Sequence, residues 1–176
     1  MYATLVSMSE ISLWLDSYDD IYSDFDSRHY LKRRISEDLV DELQSSLKYI
    51  PGRTENLLLL LPHNQRKIDI EKEIAFSIKE QFNKRLDILK QSARNIYNRG
   101  MLLVALGMLV MAIDSLIAYK GYSSYLMTVL RIIMEPAGWF LIWNGLDFLL
   151  YEYRKTKKDI DFFDILSQLN IHFKDS

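Results

Sequence analysis

From Met101 to Tyr119 the chain reads MLLVALGMLVMAIDSLIAY, 19 residues in which Gly107, Asp114 and Ser115 are the clear exceptions to an apolar sequence. About 20 apolar residues cross the ~30 Å of hydrocarbon in a bilayer, so the direct expectation is a transmembrane helix. A core helix of this length in a soluble protein would normally show a charged face, and this run has none. After Lys120–Ser124 a second apolar run, Tyr125 to Tyr151, extends over 27 residues, or about 40 Å of helix, too long for an untilted span. Pro136 removes an amide donor near its first third. Two layouts fit: a continuous, tilted helix kinked at Pro136, which is preferred, or an interfacial segment over 124–134 followed by a shorter span opened by Pro136. The hairpin is therefore placed at 101–151, with spans at about 101–119 and 131–151.

The cations fix an orientation. Lys84, Arg85, Lys90, Arg94 and Arg99 precede the first run, Arg154, Lys155, Lys157 and Lys158 follow the second, and the intervening turn offers Lys120 alone. This is a strong positive-inside bias, which places both termini in the cytoplasm. Tyr97, Tyr151 and Tyr153 on one side and Tyr119, Tyr122 and Tyr125 on the other fit interfacial aromatic belts. Neither run is a signal peptide, since both lie past residue 100 and the first residues lack a basic region followed by an apolar core.

Residues 1–100 read as a β–α–β–α pattern. Ile11, Leu13 and Leu15 alternate with Ser12 and Trp14, a short strand; Ser36 opens a helix carrying Leu39, Val40, Leu43 and Leu47, which Pro51-Gly52 ends. Leu57 to Leu61, stopped by Pro62, reads as a strand buried on both faces. Ile70, Ile74, Ile78, Phe82, Leu86, Leu89, Ala93 and Ile96 then recur at helical spacing. If Gly100 does not break it, that helix runs into the first span, about 50 residues or ~75 Å. Residues 152–176 add a basic flank, a helix over 159–169 and a possible last strand at Asn170–Phe173. The expected fold is an α+β membrane protein: a two-helix transmembrane hairpin with a small cytoplasmic α/β domain built from N- and C-terminal segments.

The stretch Ile21–Ser27, the leucine strand ending in Pro62, and above all Gly138-Trp139 with Trp143-Asn144-Gly145-Leu146-Asp147-Phe148-Leu149-Leu150-Tyr151-Glu152-Tyr153 resemble an uncharacterised family of small bacterial inner-membrane proteins with two transmembrane helices. Asn144-Gly145 stands where the family pattern has Arg-Pro. The resemblance implies a bacterial inner-membrane location and a cytoplasmic α/β portion, and it implies no activity.

Polar residues within the apolar runs call for partners. Asp114 lies five residues before Tyr119 and Arg131 six after Tyr125, so their depths match at about 7–9 Å from the outer edge. Opposite charges at one depth on adjacent helices should meet. The expectation is an Asp114–Arg131 contact, with Glu135 one turn deeper and able to share Arg131. The simple use of this cluster is an inter-helix clamp; the sharper one is an ion path in an oligomer. Asn144 and Asp147, near the inner edge and on one face, form a second polar pair suited to hydrogen bonding a neighbouring helix. Gly138, Gly145 and Ala137 permit close approach, but no GxxxG pair is present.

Familiar catalytic chemistry is missing. With no cysteine, disulfides and thiolate sites are excluded, and His29, His63 and His172 are scattered. Asp16, Asp19, Asp20, Asp24 and Asp26 crowd one loop without EF-hand spacing, and no GxSxG, P-loop or GxGxxG occurs. Lys32-Arg33-Arg34 reads as a surface charge run. At 176 residues a large multidomain enzyme is excluded, and 26% charged with 49% hydrophobic residues excludes a disordered chain. The expectation is a non-enzymatic protein with no cofactor or metal and no nucleic-acid partner, its partners being the lipid bilayer, an unknown cytoplasmic protein and, as a candidate homo-oligomer, further copies of itself. The alternative is a subunit of an oligomeric ion channel or transporter using Asp114, Arg131 and Glu135.

Overall fold

The alternation of Ile11, Leu13 and Leu15 with Ser12 and Trp14 is realised in β1 (Ser9–Trp14). In the computed structural model, which describes residues 9–26, 28, 32–49, 54–121 and 124–175, β1 pairs in parallel with β2 (Thr54–Leu61). On its other side β2 pairs in parallel with β3 (Asn170–Asp175), giving the order β1-β2-β3. Residues 1–8, His29, Pro51-Gly52, Tyr122 and Ser176 lie outside the described residues. Parallel neighbours need crossovers, and the two here differ greatly in length. The first contains α1 (Glu37–Tyr49); the second contains α2 (Ile68–Tyr119), α3 (Tyr125–Asp147), a π-helical turn (Phe148–Glu152) and α4 (Tyr153–Gln168). The chain is thus mostly helical, with a small three-stranded sheet and two long apolar helices.

Two compact units divide it: Met1–Asp87 with Asp161–Ser176, and Ile88–Ile160. In the first, the sheet comes from both ends of the chain. Its register aligns Ile11 with Leu57 and Ile171, and Leu13 with Leu59 and Phe173. That side is covered: Ile11, Leu13, Leu57, Leu59 and Leu61 are buried together with Leu39, Val40 and Leu43 of α1, Ile74, Ile78, Phe82 and Leu86 of α2, and Phe163 and Leu166 of α4. Polar ties hold the helices in place. Arg85 Nη1 donates to Glu37 Oε1 at 2.9 Å, Gln81 accepts from the Ile35 amide at 3.0 Å, and the Arg85 guanidinium lies 5.2 Å from the Phe163 ring centroid.

The expectation that the leucine strand is buried on both faces is corrected. Leu57, Leu59 and Leu61 are buried, whereas Leu58 and Leu60 are only half-buried. They share the opposite face with Ser12, Trp14 and His172, and Trp14 is 61% exposed. Among the described residues, the helices that bury this sheet lie on one side of it, and its other face is only partly covered.

In the second unit α2 continues through Gly100 without interruption, and α3 starts at Tyr125, six residues before the shorter span boundary at 131. Pro136 is internal to α3. The helix therefore follows the continuous layout, carried onward by the π turn into α4.

Candidate functional site

The helical unit is organised by glycine. A Cβ built on Gly107 would lie 2.8 Å from the Gly138 carbonyl oxygen and 2.9 Å from the Ile142 amide nitrogen; one on Gly145 would lie 2.7 Å from the Gly100 carbonyl and 2.8 Å from the Val104 nitrogen. The neighbours are backbone, so the helices touch main chain to main chain and run antiparallel. Gly100 faces Gly145 and Gly107 faces Gly138, each pair seven residues from the next on both helices. A seven-residue repeat keeps one seam facing its partner along a left-handed pair.

One further heptad along the seam are Asp114 and Arg131. Arg131 Nε donates to Asp114 Oδ1 at 3.2 Å, the aspartate side chain being 15% exposed and the arginine 42%. Nε is thereby engaged, while both Nη groups form no further bond among the described residues. Glu135 does not share Arg131: it is exposed and has no hydrogen bond or ion pair among the described residues. The seam draws Arg131 sideways toward α2 and away from its own helix's next turn. Asn144 is half-buried beside Gly145, and Asp147 is exposed at the end of α3; the structure gives this pair no mutual bond. At the far end of the unit Arg99 lies over Phe148 at 4.8 Å, and Tyr97 meets Tyr153 at 5.8 Å.

Burial in this unit is inverted relative to a soluble fold. The buried positions include Gly107, Gly138 and Gly145, while Leu102, Leu106, Met108, Leu109, Ile113 and Leu116 are exposed. In the most apolar stretch of each long helix only 6% of residues are buried, and both helices are long and apolar enough to cross a membrane.

A second polar constellation, which the sequence did not signal, sits where the three parallel strands end. Arg66 grips Glu71 with two bonds of 2.9 Å and reaches Asp175, the last residue of β3, at 2.9 Å. Tyr18 donates to Glu71 at 3.1 Å and accepts from the Lys67 amide at 2.9 Å. The Arg66 guanidinium holds the Glu71 and Asp175 carboxyls below the usual carboxylate range, and burial pushes the Tyr18 hydroxyl up. The carboxyl ends of parallel strands are where α/β folds usually bind ligands. Here the polar groups at that edge satisfy one another, so it is laced shut.

Three carboxylates of the acidic loop, Asp19, Asp20 and Asp26, are likewise engaged internally. Asp20 accepts from the Asp16 and Ser17 amides in a capping box, Asp19 pairs with Arg33 at 3.0 Å, and Asp26 is held well below the usual range, first by the Arg28 guanidinium and then by the Arg34 amide. Of the basic run 32–34, the Arg33 side chain and the Arg34 amide thus meet the acidic loop. Among the described residues no three His, Cys, Asp or Glu side chains group to hold a metal ion. Comparison with family models, with curated proteins and with solved structures gives no match.

Proposed function

We propose that this chain is a non-enzymatic bacterial inner-membrane protein whose helical hairpin anchors a cytoplasmic interaction domain. The observation that carries the reading is the inverted burial of residues 88–160: large apolar side chains outside, glycines within. In water such a surface would cost roughly 25 cal/mol for every Å² left exposed, whereas in lipid it costs nothing, and small residues are what membrane helices use to approach. The cations flanking the hairpin favour both ends in the cytoplasm.

The open sheet face, with Trp14 at its surface and Leu58 and Leu60 half-covered, is the region assigned to a cytoplasmic protein partner. Parallel sheets are ordinarily covered on both sides, which makes a partly covered face a natural contact surface.

The test is extraction and topology. The protein should stay with membranes through an alkaline wash and require detergent for release. Since the chain has no cysteine, Ser124→Cys should react with an impermeant thiol reagent from outside and Lys158→Cys only after the membrane is opened. Recovery of a dissolved monomer without detergent would remove the reading. The unpaired Glu135 favours one second reading, an oligomeric channel or transporter component. Flux in liposomes lost on Asp114→Asn and Glu135→Gln would support it, and a folded protein with no flux would remove it.

A further inference from the structure

Glu135 occupies the least hospitable position in the helical unit. The glycine register that sets Gly100 against Gly145 and Gly107 against Gly138 continues to set Asp114 against Arg131, and so brings Glu135 level with Val110. Val110 is the midpoint of the run Met101–Tyr119, nine residues from either end. On the membrane reading, about 14 Å of helix separates this carboxylate from each surface, too far for its short side chain to reach water. It points outward on α3, with exposed Trp139 one turn further along, and pairs with nothing among the described residues. An ionisable group at mid-depth facing lipid is expensive and calls for a partner.

We infer that the hairpin associates with a second copy of itself through α3, Arg131 of each protomer donating its free Nη groups to Glu135 of the other. The charge arrangement is what selects a second copy. Arg131 spends only Nε on Asp114, is 42% exposed, and keeps a two-pronged donor edge of the shape that a carboxylate accepts bidentately. Glu135 lies one helical turn away, about 6 Å along the axis, within the reach of an arginine side chain on a parallel neighbour at the same depth. Donor and acceptor are on one helix of one chain, so a twofold axis along the membrane normal makes both contacts at once, residue for residue. Asp114 stays within its own protomer and holds the guanidinium at an angle that leaves the outer prongs free.

This inference rests on the membrane reading above, and the experiment separates the two. The full chain is reconstituted in nanodiscs and in mild detergent, and particle mass is measured for wild type, Glu135→Gln and Glu135→Ala. Disulfide crosslinking is measured for Ile132→Cys and for Leu109→Cys, which lies on α2 and away from the proposed contact. The expected result is a wild-type dimer, an Ile132→Cys crosslink well above that of Leu109→Cys, and at least a tenfold weaker dimer in both Glu135 variants, with membrane retention unchanged. A membrane-retained wild type that is monomeric overturns the inference while leaving the anchor standing. So does a dimer indifferent to Glu135, or a particle whose extra mass is a different membrane protein. A wild type that needs no membrane overturns both.

Discussion

Helix α2 solves two burial problems with opposite chemistry. Over its first third it buries Ile74, Ile78, Phe82 and Leu86 and turns Lys72, Glu73, Lys79 and Lys84 outward; beyond Gly100 it buries Gly107 and turns Leu102, Leu106, Leu109 and Leu116 outward. In the first region the hydrophobic effect selects what goes inside, and size matters only for filling space. In the second, apart from Asp114 and Ser115, the side chains are apolar, so apolarity selects little and smallness decides which side meets the partner helix. One backbone geometry thus carries two selection rules, and which rule applies reports the solvent outside.

The comparison is broken most sharply by truncating large side chains in each region. Phe82→Ala removes a ring that is 1% exposed and packs 6.3 Å from Phe163, and should cost about 3–5 kcal/mol. Leu109→Ala removes a side chain that is 56% exposed and should leave the unfolding free energy in detergent within about 0.5 kcal/mol of wild type. Circular dichroism during chemical unfolding measures both, and equal costs would mean that the two regions obey one rule.

Enlarging a small residue tests the other half. Gly107→Leu drives a Cβ to 2.8 Å from the Gly138 carbonyl, an atom that cannot rotate away, so the helices must separate. The expected loss is about 3 kcal/mol, at the upper end for overpacked sites, seen as a lower melting temperature of the hairpin in detergent. Tolerance of leucine there would show that the seam is loose and that another contact holds the pair.

How much of this was legible follows the same division. The strand at Ile11–Leu15, the helix through Leu39–Leu47 and the long helix through Phe82 were readable because their buried and exposed residues differ in polarity, and the leucine strand because its short apolar run stops at Pro62. The single-layer cover of β2 was not, since a run of five leucines has no polar member to mark the open side. The seam carries no GxxxG because its glycines repeat at seven residues, 100 to 107 and 138 to 145, a spacing present in the sequence that has meaning only once the two helices are seen to be antiparallel. The lacing of Tyr18, Arg66, Glu71 and Asp175 spans most of the chain, and no local pattern could announce it.

That lacing, with Asp26, predicts a pH response of the sheet unit. Glu71, Asp175 and Asp26 all have carboxyls held below their ordinary values, so the folded state binds protons less readily than the unfolded one. Their contribution is fully present above the unfolded values of about 4.3 for glutamate and 3.9 for aspartate, and is lost as pH falls through the lower folded values. Unfolding of the sheet unit should therefore be flat from neutral pH to about 5 and ease below about 4. Glu71→Gln should cost about 2 kcal/mol at neutral pH, where its two bonds from Arg66 are charge-assisted, and should flatten the acid slope. An unchanged slope would mean that the carboxylates at this edge are bystanders.

The smallest effect is expected where the sequence first drew attention. Asp114→Asn keeps an acceptor near Arg131 Nε and removes only the charge. Arg131 is 42% exposed and stands six residues from the helix start at Tyr125, about 9 Å, so on the proposed membrane reading its guanidinium can extend toward the nearer surface when the Asp114 charge is gone. Polar contacts between membrane helices average about 0.6 kcal/mol, because an unpaired partner finds substitutes, and a loss near 1 kcal/mol is expected here. Asp114→Asn should therefore disturb hairpin unfolding less than Gly107→Leu does. The reverse order would make the ion pair the contact that sets the register, with the glycines merely accommodating it, and the inverted burial would then be a consequence of helix pairing and not its cause.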